Sequence, residues 1–296
     1  MSTSQVKADY RIIPVPERDI LGEGPWWSRA DQFLIWVDIW GRKIRRCRID
    51  GSAYQHWDTP SDIGFVVPGG PDWWIAGLAD GLHWFSPREG SFSSASLGPA
   101  VPDGHRLNDG KSDRAGRLWF GTIREDGMAP SASLYRFDGS TLEEVLGGVT
   151  TSNGLGWSPD GRRMYYTDSP ARTITAFTDP PETGRLDGSS RFSRDPADYT
   201  PDGLTVDSEG YVWSAKWDGA KVVRYAPDGT PVLELLLPIR RPTSCMFAGP
   251  DLDVLAITSA RSPEDDATGE SLAGSVFLVD VGVTGLPESP LSFTRT

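Results

Sequence analysis

Thr151–Ser169 reads TSNGLGWSPDGRRMYYTDS. An apolar run with Asn153 near its start enters a Ser-Pro-Asp-Gly turn, and a β-rich run, Met164–Asp168, follows. Proline fixes φ and glycine accepts positive φ, so Pro159-Asp160-Gly161 reverses the chain. The flanks are short and rich in aromatic and β-branched residues, which predicts two antiparallel strands. One hairpin decides little. Its recurrence decides the fold.

Comparable segments begin at LGEGPWWSRADQFLIWVDI (21–39), DIGFVVPGGPDWWIAGL (62–78), RLNDGKSDRAGRLWFGT (106–122), TPDGLTVDSEGYVWSAK (200–216) and PTSCMFAGPDLDVLAIT (242–258). Most lead into a third strand, such as KIRRCRID or KVVRYAP, and then into another short β-like run or a Gly/Pro turn. With the opening stretch these make six repeats, of about four strands each and a period in the forties, the pattern of a β-propeller. The predicted fold is therefore all-β: a six-bladed β-propeller with mostly four-stranded antiparallel blades around a central channel. A sandwich needs no repeated turn at a repeated offset, and no stretch sustains a 3.6-residue period.

No linker or charge block divides the chain, so residues 1–296 read as a single domain. Residues 1–9 are expected to be a flexible tail, and Tyr10–Val15 a strand that closes the ring on the last blade. The longest polar interruption, Ser262–Gly274, reads as a solvated acidic loop or as a lid. Its 296 residues exceed an average domain but suit a single β-sheet domain. A net charge of −12 argues against nucleic acid and against an anionic membrane surface. There is no secretory pattern at the start and no run of 18 apolar residues, so a cytoplasmic protein is expected. Cys47 and Cys245, isolated in strand-like runs, read as buried thiols. Self-association is left open between a monomer and a weak dimer.

The repeats share one ruler. Gly161 lies eight residues after Asn153, Gly116 eight after Asn108, Gly210 eight after Asp202, and Asp31 eight after Glu23. The same offset selects Ile63 and Ser244 in the remaining repeats. In a propeller the first strand of every blade lines the channel and all run in one direction, so these six positions form a ring at one face. An Asn-Gly or Asp-Gly pair alone would ordinarily be a turn. Here the turn slots are already filled, by Ser158–Gly161 and Asp207–Gly210, so Asn153 and Asp202 are not turn residues. Carboxylates and amides converging on a channel mouth call for a cation. Glu23, Asn153 and Asp202 are the candidate metal ligands. Oxygen-only ligation suits Ca²⁺ best, with Mg²⁺, Mn²⁺ or Zn²⁺ as alternatives.

Second strands return to the same face, which brings Asp38, Trp40, residues 122–126, Asp168, Lys216 and Trp217 to the rim. Lys216 and Arg106 are cations in an acidic mouth and are candidates for binding substrate oxygen atoms. Trp40 and Trp217 are candidate apolar walls. His56, His83 and His105 have no metal-ligand or triad spacing. No phosphate-cradling glycine loop or serine-nucleophile motif is present.

LGEGPWW, RLNDGKSDRAGRLWFGT, SNGLGWSPDGRRMYYTD and PDGLTVDSEGYVW together resemble the senescence-marker-protein/gluconolactonase/luciferin-regenerating-enzyme family, over about residues 20–260. The resemblance implies a six-bladed propeller with one divalent metal held by Glu23, Asn153 and Asp202. It also implies that Arg106 and Asn108 hold substrate hydroxyls. The run Ile123–Asp126 falls where the far end of the substrate is expected, and Asp126 is a candidate contact there. The stretch 64–85 is similar to members acting on aldonolactones.

The expected activity is metal-dependent hydrolysis of a sugar lactone, with Asp202 as general base toward the attacking water. The alternatives are an esterase or phosphotriesterase on the same scaffold, or a non-catalytic binding propeller.

Overall fold

The computed structural model describes residues 3–95, 101–127, 129–178, 183–268 and 271–294. Six separate sheets are present, and in each the strands follow chain order from the inside outward. Their innermost strands are Gly22–Ser28, Ile63–Pro68, His105–Ser112, Ser152–Trp157, Thr200–Val206 and Pro242–Ala248. Each of these touches the next, and the last touches the first, which makes a closed six-bladed β-propeller.

The sequence dictates this arrangement blade by blade. Inner strands are apolar on both faces because neighbouring blades cover them, and every residue of Ser152–Trp157 is buried. Between blades, large side chains interleave: Trp213 and Phe247 meet edge to face at 6.1 Å, and Phe120 stacks on Tyr135 at 5.5 Å. Turns repeat as chemistry, too. Asp113 accepts the backbone N–H groups of Ala115 and Arg117 and the Trp119 indole at 2.9–3.0 Å. Asp207 does the same for Glu209, Tyr211 and Trp213. Cys47 and Cys245 are both buried free thiols, as expected.

Closure also follows expectation. Tyr10–Ile12 pairs antiparallel with Phe277–Asp280 as the outermost strand of the sixth blade. The tail preceding it does not. Ser4–Lys7 forms a fifth strand on the fifth blade, parallel to Pro231–Leu236, with all four side chains exposed. The unpaired outer edge of that blade supplies the backbone partners, so the segment needs no apolar pattern to be ordered. Within 262–274 the described part holds a short helix, Pro263–Thr268; residues 269 and 270 lie outside the described residues.

All six inner strands carry a register shift close to the predicted ring position, between Glu23 and Trp26 in the first blade and between Asn153 and Leu155 in the fourth. Bulges of this kind re-aim a side chain, here toward the axis. The glycine that follows has a steric reason. A Cβ on Gly154 would stand 2.4 Å from the Asp202 carbonyl oxygen, and one on Gly203 would stand 2.1 Å from Ser244 Oγ. Neither glycine has positive φ. Close approach of adjacent inner strands, rather than turn geometry, requires them.

After the last blade, residues 284–293 cross the opposite face. Ser208 donates to Thr284 O at 2.9 Å, Leu291 to Pro68 O at 3.1 Å and Ser292 to Gly116 O at 3.0 Å. Glu288 enters the channel and pairs with Lys111 at 3.2 Å, and the Phe293 ring packs against Phe137 at 5.0 Å. Voids of about 10 and 20 Å³ lie beside Lys111.

Candidate active site

At the mouth where the inner strands begin, a cavity of about 450 Å³ opens to solvent. Glu23, Asn108, Asn153 and Asp202, contributed by four blades, line it together with Arg106. The bulges turn these side chains inward, and each is nine-tenths buried or more. Two ring positions do not join them. Ile63 is fully buried among apolar neighbours, and Ser244 faces the enclosed channel beyond the ring.

A hydrogen-bonded chain links the polar members. Arg106 Nη1 donates to Asn108 Oδ1 at 2.9 Å, and Asn108 Nδ2 donates to Ser152 O at 2.9 Å and to Asn153 Oδ1 at 3.3 Å. Asn153 Nδ2 in turn donates to Ser169 Oγ at 3.0 Å. The chain stops short of one atom: Asp202 Oδ1 is buried with no hydrogen-bond donor. Burial and the nearby Asp109 carboxylate push the Asp202 carboxyl well above its usual range, against the Gly203 N–H, Lys216 and Asn153. Burial does the same to Glu23, followed by repulsion from Asp202 and Asp109. For Arg106 burial lowers the pKa, opposed by Asp62, Glu23 and Glu125.

These features bear on a metal. Two buried carboxylates repel each other, a third lies close by, and one carboxylate oxygen lacks any partner. Such a group is costly unless a cation or donor compensates it. Asn153 Oδ1 keeps a second lone pair, and Glu23 Oε2 accepts only the Gly24 N–H, at 3.1 Å. The donor set is all oxygen, and it fits a hard divalent ion. Among the described residues no cluster of three or more His, Cys, Asp or Glu side chains exists, which agrees with a set completed by an amide.

Two rim carboxylates have a supporting task. Asp38 accepts the N–H groups of Ile20 and Leu21 at 3.1 and 3.0 Å, and Asp168 those of Thr150 and Thr151 at 3.1 and 3.2 Å. Each fixes the chain just before a ring residue, Glu23 or Asn153, and neither lines the cavity.

Lys216 corrects the sequence-based expectation. Its side chain is completely buried, with Nζ on Asp195 at 2.7 Å and Ser214 Oγ at 3.1 Å, and it binds no cavity space. Strand alternation turns it between the fourth and fifth blades while its neighbour Trp217 reaches the mouth. Asp126 is corrected as well: it pairs with Arg124 at 2.9 Å on the surface, and of 123–126 only Ile123 lines the cavity. Trp40 and Trp217 do line it. Missed from sequence were Leu21, Ile39, Thr151, Ser169, Pro170 and Thr200. A signal for several existed: Leu21, Arg106, Thr151 and Thr200 all stand two residues before a ring position.

Residues 21–261 match the model of the SMP-30/gluconolactonase/LRE-like region. The chain belongs to this family. Among its relatives, L-arabinolactonase of Azospirillum brasilense is 36% identical over 280 residues, covering 91% of each chain. Pentonolactonase of Haloferax volcanii is 35% identical over 291 residues, covering 90% of this chain and 93% of that one. Among solved structures, the calcium-binding protein regucalcin of Agrobacterium tumefaciens shares the fold at a TM-score of 0.90 and 24% identity, covering 98% and 99% of the two chains. Family membership and the six-bladed architecture thus agree with what the repeats implied.

Proposed function

We propose that this protein is a metal-dependent lactonase that opens a sugar lactone to its aldonic acid. The observation that carries the reading is the convergence of Glu23, Asn153 and Asp202 on one cavity, with Asp202 Oδ1 buried and unpartnered. The lactonase names of the relatives support the reaction class. Glu23, Asn153 and Asp202 would hold one divalent ion, with calcium the best match to these hard oxygen donors. When bound, such an ion polarises a carbonyl and lowers the pKa of water.

The residues themselves account for the rest. Arg106 and Asn108 are already locked to each other, and they present N–H groups to ring hydroxyls at little entropic cost. Asp202 takes the proton from the attacking water through its free oxygen; its raised pKa increases its strength as a base. Trp40 and Trp217 cover the apolar faces of the sugar. Asp38 and Asp168 keep the ring segments in place.

Metal analysis of the purified protein, coupled to a pH-indicator assay on sugar lactones with and without chelator, tests this. Acid release that chelator abolishes and calcium restores is the expected outcome. Full turnover after complete metal removal refutes the metal dependence, and activity confined to phosphotriesters or simple esters refutes the substrate class.

A further inference from the structure

The cavity is divided by chemistry. Its floor consists of the ring residues with Arg106, all charged or amide-bearing. Its collar differs. Every second-strand end that reaches the mouth brings an apolar side chain: Ile39 and Trp40 in the first blade, Ile123 in the third, Pro170 in the fourth and Trp217 in the fifth. Leu21 joins them from the first inner strand.

Backbone groups around the first-blade collar are also spent. Leu21 N–H donates to Asp38, Ile39 N–H donates to Leu21 O at 2.9 Å, and Arg42 N–H donates to Ile39 O at 3.3 Å. Ile123 bridges Thr151 across the blades. The charged residues that follow Ile123 turn away, with Arg124 and Asp126 paired outside. A hydroxyl pressed against this collar loses water and gains no partner, whereas a methyl or methylene group gains apolar contact.

We infer that the site selects lactones whose polar groups are gathered on the carbonyl and ring, with a short or deoxygenated exocyclic tail. This rests on the lactonase reading above and names the substrate class within it. The collar, with Ile123 and Ile39 at its centre, is the specificity-determining element. Five-carbon aldono-1,4-lactones and 6-deoxyhexono-1,4-lactones are the favoured class, and hexonolactones with a fully hydroxylated tail are disfavoured.

Three substrates of one ring configuration separate polarity from size. L-arabinono-1,4-lactone ends in a hydroxymethyl group. 6-Deoxy-D-galactono-1,4-lactone adds a carbon without adding a hydroxyl. D-galactono-1,4-lactone adds both. With the metal-loaded full chain, kcat/KM for the first two is expected to agree within about threefold, and that for the third to fall by roughly 10- to 100-fold. Ile123→Asn is expected to raise kcat/KM for D-galactono-1,4-lactone at least about fivefold while leaving the 6-deoxy lactone no better.

Equal kcat/KM for all three lactones overturns the inference and leaves the lactonase reading standing. Equal loss on the 6-deoxy and the fully hydroxylated lactone assigns the discrimination to size and also overturns it. No hydrolysis of any of the three, with metal bound, overturns the lactonase reading and this inference with it.

Discussion

Replacing Gly154 by alanine tests whether close packing of adjacent inner strands sets the site. The added Cβ would lie 2.4 Å from the Asp202 carbonyl oxygen and 2.5 Å from Thr167 Oγ1, with Leu204 Cδ2 at 3.2 Å. That is about 1 Å closer to the carbonyl than a relaxed van der Waals contact. Thr167 is completely buried and cannot yield by rotating outward, so the strand bearing Asp202 must shift. Overpacking of this kind costs roughly 1–3 kcal/mol, which for a domain of this size lowers Tm by roughly 2–10 °C. A displacement approaching 1 Å at a reacting group costs on the order of 100-fold in rate. The expected result is therefore a modest loss of stability with a disproportionate loss of kcat/KM, and weaker metal retention. Gly70→Ala is the control, since its Cβ would meet only Trp73 Nε1, at 3.8 Å. Thermal melts and lactone assays on both variants decide the matter. A Gly154→Ala protein with unchanged Tm and kcat/KM within threefold of the parent would refute the reasoning.

Further outcomes follow from the same geometry. Asp202→Asn is expected to reduce kcat by roughly 100-fold or more while substrate still protects the fold, measured by steady-state kinetics and melting with added lactone. Glu23→Gln removes a repelling buried charge, so the chelator-treated variant should melt above the chelator-treated parent yet retain less calcium after dialysis. In the metal-free parent, Glu23 and Asp202 have folded pKa values raised above 4.5 and 3.8, so they bind protons more tightly in the folded state. Their contribution to stability is complete below those unfolded values and is lost as pH rises through the elevated ones. Tm with chelator should thus fall as pH rises from acid toward neutral, and calcium should flatten that slope; a flat chelator curve counts against the buried pair. Lys216→Met strands Asp195 without its cation and should cost roughly 3–5 kcal/mol, with Asp195→Asn recovering part of the loss in the double variant, read from denaturant midpoints.

The architecture was legible because propeller blades repeat: Ser158–Gly161 and Asp207–Gly210 fall at one offset, and that offset located Glu23, Asn108, Asn153 and Asp202 before any coordinates. Register along a strand therefore transferred well. Side-chain direction at strand ends did not. Lys216 and Trp217 are adjacent, and one step of strand alternation sends one into the blade interface and the other into the cavity. A sequence shows their proximity to the rim but not which of them faces it. Asp126 failed for a related reason: its local ion pair with Arg124 draws it outward. Ser4–Lys7 was missed because an edge strand held by backbone pairing alone shows no apolar alternation. Asp109, next to Asn108, was passed over as half of a turn-like pair although its carboxylate raises the proton affinity of both acidic ring residues.

The strap over residues 284–293, with Glu288 set against Lys111, makes the pore a blind well. Reactant and product must share one doorway, between Trp40 and Trp217. Lactone enters neutral, and the opened acid departs as an anion from a molecule carrying a net charge of −12. The field that leaves arriving substrate untouched thus expels what has already reacted, and traffic through the shared opening is biased outward for spent molecules.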